Sequence, residues 1–518
     1  MSQQLTSLAS FTQIRQHGLA DVLSEHRRSR PLLDAVVDGD LRLTWPQLDA
    51  RVNRLANALE ASGLGQGSRV LWLGQNSFRV LECLLAAARI GAVFCPANWR
   101  QSEHELAFVI DDFTPGVVFW QDAEVGETVK GARRLCQHDC KWVQSDLGGF
   151  DGYEDWLAGF PEHREASRID EQLPVLAIYT AAFAGNPNAA LLSHSTILYQ
   201  GLMVAYAESV SESSVFLNSG PLFHLGTLVT TLSTFMFGGK NVFIPRVDAE
   251  QMLALIENEG VTHAFVAQPT IEQIRKINAE GQYDTSSLWS SPLAPEWTNP
   301  LVMPMSAPLN RKPVLYGQTE IMGFAVMGWL GGEGAGRPSP LVQVRIVDDE
   351  GHEVPAGEAG EIEVRGLQVM NGYFNRLEEN DQRTWDGWYR TRDLGKRLPD
   401  GSVTFVGPKT TMIKSGVENI YPAEIEGCLR LLPQVQEACV IGVPDPTWSQ
   451  NVKAIVVLRP GQTLAEAALV DHCRQRLASY KKPKQVEFVE ALPKGRDGQI
   501  DRGAVDRMYG GGGYPSIG

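Results

Sequence analysis

Residues 70–96 read VLWLGQNSFRVLECLLAAARIGAVFCP, and the order of their patterns decides the fold. Val70–Leu73 is a short apolar strand, Ser77–Arg89 a helix and Gly91–Pro96 another strand. Strands joined through a helix pair in parallel with a crossover, which predicts an α/β architecture. On the N-terminal side, Thr44–Gly63 is a helix with legible ends. Thr44 and Gln47 have capping-box spacing, Gly63 is a stop, and Leu48, Val52, Leu55 and Leu59 share one face. On the C-terminal side, further strands are expected around Leu173–Thr180, Val215–Leu217 and Val261–Val266.

From about Arg337 the texture changes. Val342–Val347, Gly360–Val364 and Val403–Val406 are short β-type runs separated by DDEG, PAGEAG and PDG turns, which predicts a β-rich subdomain. Helix–strand alternation returns after Thr411 with Pro422–Leu432, Glu437–Val443, Val452–Leu458 and Leu464–Ser479. This last stretch is long enough for a domain of its own.

Composition narrows the function. The 518 residues are 43% hydrophobic and 21% charged, which is globular and too long for one core. Lys+Arg 46 against Asp+Glu 61 gives a net charge of -15, a poor balance for neutralising nucleic-acid phosphates. The start MSQQLTSLASFTQ lacks a basic end followed by an apolar run, so no signal peptide is expected. The most apolar stretch, 80–97, is broken by Glu82 and Arg89, so no membrane span is expected either. Seven cysteines make neither a metal-ligand spacing nor a disulfide framework, and a reduced, cytoplasmic compartment is the simplest reading.

The segment Tyr179–His194, YTAAFAGNPNAALLSH, follows an apolar strand and precedes a helix, where a phosphate-holding loop would sit. Its chemistry is poor: Gly185 is its one glycine, Thr180 the one loop hydroxyl, and it has no lysine. By itself it reads as a surface turn. Ten other blocks change that weighting. LTWPQLDARVNRLANAL, GAVFCPANWR, PLFHLGTL, YGQTE, GEIEVRG, NGYFN, GWYRTRDLG, IKSGVENIYPAEIE, VIGVPDPTW and YKKPKQVEFVEALPK recur, in this order, in one superfamily. Over roughly residues 20–507 the chain resembles the adenylate-forming enzymes: acyl-CoA synthetases, adenylation domains and luciferases.

The resemblance implies an N-terminal AMP-binding domain over residues 1–409, a small mobile α+β lid over 410–508 and a flexible tail over 509–518. It also implies a two-step reaction, in which a carboxylate attacks the α-phosphate of ATP and a thiol such as that of CoA then displaces AMP. ATP or AMP, CoA and Mg²⁺ are the cofactors it implies. CoA or a free carrier protein would be the acceptor, with a homodimer left open. Residue by residue, Tyr316, Gly317, Gln318, Thr319 and Glu320 match the block holding adenine and phosphate. Thr319 would meet the α-phosphate, and Glu320 would hold Mg²⁺, an ion that prefers hard oxygen ligands. Asp393 matches the ribose-binding aspartate. His224 matches the gate between acyl pocket and adenylate, and Phe223 a pocket wall. Thr180 and Gly185 fall in the phosphate loop. Lys414, Gly416 and Glu418 fall in the block that lines the cofactor side of the lid.

The departures from the family are concentrated. The phosphate loop has lost its hydroxyls, and its lysine is gone, leaving Ala181–Ala189 as AAFAGNPNA. Gln499 stands where the family has its catalytic lysine, Pro408 and Thr410 where it has hinge residues, and Val417 where it has a tunnel glycine. SSPLAPEWTN, residues 290–299, replaces the adenine-side Gly-Gly-Ala turn. Lys409, Lys414, Lys481, Lys482 and Lys494 are read as solvated surface charges rather than substitutes. The leading expectation is an acyl-CoA ligase-like enzyme acting on a fatty or aromatic acid. Its rivals are a repurposed member that binds AMP, acyl-adenylate or acyl-CoA, and an acyl transferase that runs only the thioester half-reaction. The segments around His224, Thr262–Pro269 and Phe324–Met327 are apolar, which favours an apolar acid.

Overall fold

The computed structural model describes residues 14–147, 152–165, 168–180, 187–266, 268–288, 314–332, 335–409, 411–416, 418–494 and 500–512. Helix Trp45–Ala61 begins with the expected capping box, in which Thr44 N donates to Gln47 Oε1 at 2.8 Å. Leu48, Val52, Leu55 and Leu59 are each 0% exposed, a burial worth about 1.5–3 kcal/mol per side chain. The strand Arg69–Leu73, the helix Phe78–Ile90 capped by Ser77, and the strand Val93–Pro96 follow. The two strands pair in parallel with Val70 opposite Phe94. Gly91 closes the helix at φ +69°, a left-handed conformation that glycine adopts without strain.

The described strands gather into four sheets. One is seven-stranded, in the order Gly372–Tyr373, Asn188–Ser193, Pro174–Thr180, Val93–Pro96, Arg69–Leu73, Val117–Trp120 and Lys141–Gln144. A five-stranded sheet is built on Val215–Asn218 and Lys240–Phe243, and the expected strand Val261–Val266 shrinks there to His263–Ala264. The β-rich part is an eight-stranded sheet whose spine is Ala359–Gly366, Trp388–Arg397 and Val403–Pro408. The fourth sheet uses only residues after 412, around the hairpin Val435–Asp445 and Ser449–Leu458, with its own apolar core from Ile413 to Leu477. Tyr509–Gly512, read from sequence as the start of a tail, is tied to this unit: Lys453 Nζ donates to Tyr509 O at 2.9 Å and Gly512 N to Gly442 O at 2.8 Å.

One expectation is overturned. Residues 179–194 do not run from strand through loop to helix. After the loop the chain returns as the strand Asn188–Ser193, antiparallel to Pro174–Thr180 with Thr180 opposite Asn188, and the helix starts only at His194. Burial explains this, because Ala189, Ala190 and Leu192 are each 0% exposed, so the run packs as a core strand. The phosphate-loop segment therefore joins two paired strands instead of opening a helix. Among the described residues, no helix is long and apolar enough to cross a membrane.

Candidate active site

The YGQTE turn is held by a close backbone approach. Ala325 N donates to Tyr316 O at 2.9 Å and Gly323 N to Gln318 O at 3.0 Å. A Cβ on Gly317 would stand 1.7 Å from Gly323 O, so only glycine lets this turn close. The turn faces Asp393 on the strand Trp388–Arg397. Tyr316 Oη and Gln318 Nε2 each donate to Asp393 Oδ2 at 3.0 Å, and Tyr389 Oη donates to Gln318 Oε1 at 2.8 Å, fixing the amide. Arg392, just before Asp393, takes φ +56°, which breaks the strand geometry at an expense of about 1–2 kcal/mol. Burial pushes the Asp393 carboxyl up to about 6; the charge of Glu320 adds to this, and the bonds from Tyr316 and Gln318 oppose it. Phe405 stacks on Tyr316 with ring centroids 5.5 Å apart.

Glu320 is buried, and Tyr373 Oη donates to its Oε1 at 2.8 Å. Its Oε2 has no protein partner among the described residues, so one hard oxygen is available to a cation. No cluster of three or more His, Cys, Asp or Glu side chains occurs among those residues. A Mg²⁺ ion, which keeps water and phosphate ligands of its own, fits this single-carboxylate arrangement. Burial, reinforced by the Glu320 charge, pushes the Tyr373 and Tyr389 hydroxyls well above their ordinary range, so both stay protonated donors. Thr319 is half-buried in the short 3₁₀ turn Thr319–Ile321.

His224 caps the helix Leu225–Phe237, with its ring 4.6 Å from that of Phe223. Its side chain is 36% exposed, so it is not a core histidine, whereas Phe223 is buried. His224 Nε2 lies 3.3 Å from Glu418, and Arg100 reaches the same carboxylate at 3.3 Å. Burial raises the Glu418 pKa, but the bond to His224 and the charges of His224, Arg100 and Lys414 outweigh it and hold the carboxyl below its ordinary value. Glu418 of the C-terminal unit thus meets His224. Lys414 Nζ donates to Asn419 at 2.8 Å, and Gly416 sits at φ +59° against Trp448. Thr180 ends its strand, donating to Asn188 O at 3.3 Å. Gly185, Thr410, Val417, Gln499 and the 290–299 stretch lie outside the described residues.

Sequence reasoning missed the partners that aim these groups. Tyr373 and Tyr389 sit inside quoted blocks, yet their bonds to Glu320 and Gln318 span 53 and 71 residues, which no spacing reveals. Arg376 was missed too. Its Nε donates at 2.8 Å to Asn188, the residue standing at the family's phosphate-loop lysine, and its Nη2 pairs with Asp112 at 2.7 Å. The reading of Lys481 as a solvated charge was wrong. It is 5% exposed, because two carboxylates, Glu105 and Glu424, draw its ammonium inward at 2.7 Å each.

The family model for AMP-binding enzymes matches residues 23–374, and the model for the AMP-binding enzyme C-terminal domain matches residues 424–499. The chain belongs to the AMP-binding enzyme family. Among its relatives, the indoleacetate–CoA ligase of Aromatoleum aromaticum is 33% identical over 504 residues, covering 95% of this chain and 98% of that protein. A feruloyl-CoA synthase of an Amycolatopsis species is 33% identical over 509 residues, covering 96% and 100%. In fold, the o-succinylbenzoate CoA synthetase of Bacillus subtilis, a double mutant bound with its product analogue OSB-NCoA, scores a TM-score of 0.78 at 23% identity, covering 94% of this chain and 98% of that one. The same enzyme with its acyl-adenylate intermediate scores 0.62 over 95% and 98%.

Proposed function

We propose that the chain is an acid–thiol ligase of the acyl-CoA synthetase type, activating a carboxylic acid as its acyl-adenylate and passing the acyl group to CoA. The observation that carries this reading is the meeting of the YGQTE turn with Asp393, two family blocks 77 residues apart joined by a 3.0 Å bond. In the first step a carboxylate oxygen bonds to the α-phosphorus of ATP and the bond to pyrophosphate breaks. In the second a thiol sulfur bonds to the acyl carbon, its proton is lost and AMP leaves.

The chain's own groups suit these steps. Asp393, aimed by Tyr316 and Gln318, accepts the ribose hydroxyls. Thr319 would offer its hydroxyl to the α-phosphate, and Glu320, steadied by Tyr373, would hold Mg²⁺. The ion supplies charge stabilisation on phosphate oxygens. His224, met by Glu418 of the lid, stands at the acyl side. Gln499 holds the sequence position of the family's lysine, where an amide would bring a hydrogen bond but no charge.

The deciding experiment is ATP–pyrophosphate exchange over arylacetic, hydroxycinnamic and fatty acids, with CoA or a carrier protein as acceptor. Exchange with one acid class and formation of its CoA thioester is expected. Absence of exchange and of thioester with every acid, while AMP still binds, would overturn the reading. A second reading, in which only the thioester half-reaction runs, draws support from the glutamine at position 499. It predicts turnover from a preformed acyl-adenylate and CoA but none from acid and ATP. Gln499→Lys should then raise ATP-dependent turnover by about 10²–10³, the usual worth of one fixed transition-state contact. Unchanged turnover would remove adenylation as the bottleneck.

A further inference from the structure

Residues 98–105, NWRQSEHE, touch the C-terminal unit at four points. Asn98 Nδ2 donates to Tyr480 Oη at 3.4 Å, and Arg100 pairs with Glu418 at 3.3 Å. Ser102 Oγ donates to Arg476 O at 2.7 Å, and Glu105 Oε1 accepts from Lys481 Nζ at 2.7 Å. Ser102 and Glu105 also form the capping box of helix Glu103–Phe113, in which Ser102 N donates to Glu105 Oε2 at 2.8 Å. One carboxylate therefore caps a helix with one oxygen and receives the lid with the other.

Lys481 answers it from a buried position, shared with Glu424 of the lid's own helix Pro422–Arg430. Burial lowers the pKa of this ammonium, but Glu105 and Glu424 outweigh it and keep the group charged. An ammonium between two carboxylates loses much of its compensation when either is removed, because neither charge is screened by water there. If the lid turned away, Lys481 would keep Glu424 and lose Glu105. The pairing thus distinguishes a docked lid from an undocked one.

We propose that residues 98–105 are the seat of the lid in the acyl-transfer pose. Lys481 is its pin, a positioning residue that acts through Glu418 on His224. The role in transfer rests on the CoA-ligase reading; the seat itself does not.

The test uses the full chain with dyes at Leu377 and Leu431, which are 83% and 67% exposed. Single-molecule energy transfer between them reports the docked fraction. Glu105→Gln removes the charge and retains the capping box, since glutamine serves at that position. It should lower the docked-to-undocked ratio about tenfold or more, with Tm moved by less than about 2 °C. Lys481→Met should do the same, Lys481→Arg should restore most of the ratio, and Glu105→Gln combined with Lys481→Met should add little. With a preformed feruloyl-adenylate and CoA, thioester formation should fall in step with the docked fraction, while AMP affinity stays unchanged. An unchanged ratio in Glu105→Gln, or a loss seen only where Tm collapses, overturns the proposal. A shifted ratio in a chain that makes no thioester would uphold the seat and sink the ligase reading instead.

Discussion

On the roles proposed above, Asp393 is the residue whose charge state controls the nucleotide side of the site. Its carboxyl sits at about 6, raised from 3.8 chiefly by burial. The folded chain therefore holds its proton at a pH where the unfolded chain has released it, and this contribution to stability is lost as pH rises through about 6. Ribose hydroxyls need the ionised form, so the binding trend is opposite. AMP affinity should rise by up to about tenfold per pH unit below 6 and level off above it. Calorimetry from pH 5 to 7.5 checks this, and Asp393→Asn should flatten the profile while weakening binding. A second expectation at this scale concerns the phosphates. The loop has lost the lysine and hydroxyls that would grip the β- and γ-phosphates, and each missing charge-assisted bond is worth about 1.5–3 kcal/mol. AMP should therefore bind at least as tightly as ATP in the presence of Mg²⁺, and a tighter ATP isotherm would count against the assigned roles.

At the scale of elements, the turn at Gly317 and the strand pair beyond it set how far a local change spreads. Gly317→Ala puts a methyl 1.7 Å from a carbonyl oxygen, so the turn must open and draw Gln318 and Tyr316 from Asp393. The expected result is loss of AMP binding with a destabilisation of about 2–4 kcal/mol, read by calorimetry and denaturant titration. Elements were legible where a local signal matched the burial. The Thr44 cap and the 70–96 alternation appear as read, because capping chemistry and apolar period are both properties of contiguous residues. The strand Asn188–Ser193 was missed because the whole of Tyr179–His194 was read as a turn ahead of the helix, and a short apolar run such as AALL carries no period that marks it as a strand. In the site, the YGQTE block and Asp393 were legible through resemblance. Tyr373, Arg376 and the burial of Lys481 were not, because each depends on a charge or hydroxyl brought from a distant strand or helix.

Over the whole molecule, the division of sheets matters most. The C-terminal strands form a sheet and core of their own, joined to the rest through ion pairs and hydrogen bonds at residues 98–105 and His224. A polar contact of this kind permits motion, in contrast to a continuous apolar core. Differential scanning calorimetry should accordingly resolve two transitions, and AMP should raise the one belonging to the Asp393-bearing domain. A single transition that shifts as a unit with AMP would mean that the two cores are thermodynamically one. The return of the chain as Asn188–Ser193 has a consequence for inheritance. The strands on either side of the phosphate-loop segment are hydrogen-bonded up to Thr180 and Asn188, so this pairing is made without the letters between them. Selection on that pairing alone would leave the segment free to drift. A lineage that keeps the strand pair can lose the grip on pyrophosphate, and resemblance of the whole then outlives the chemistry it once guaranteed.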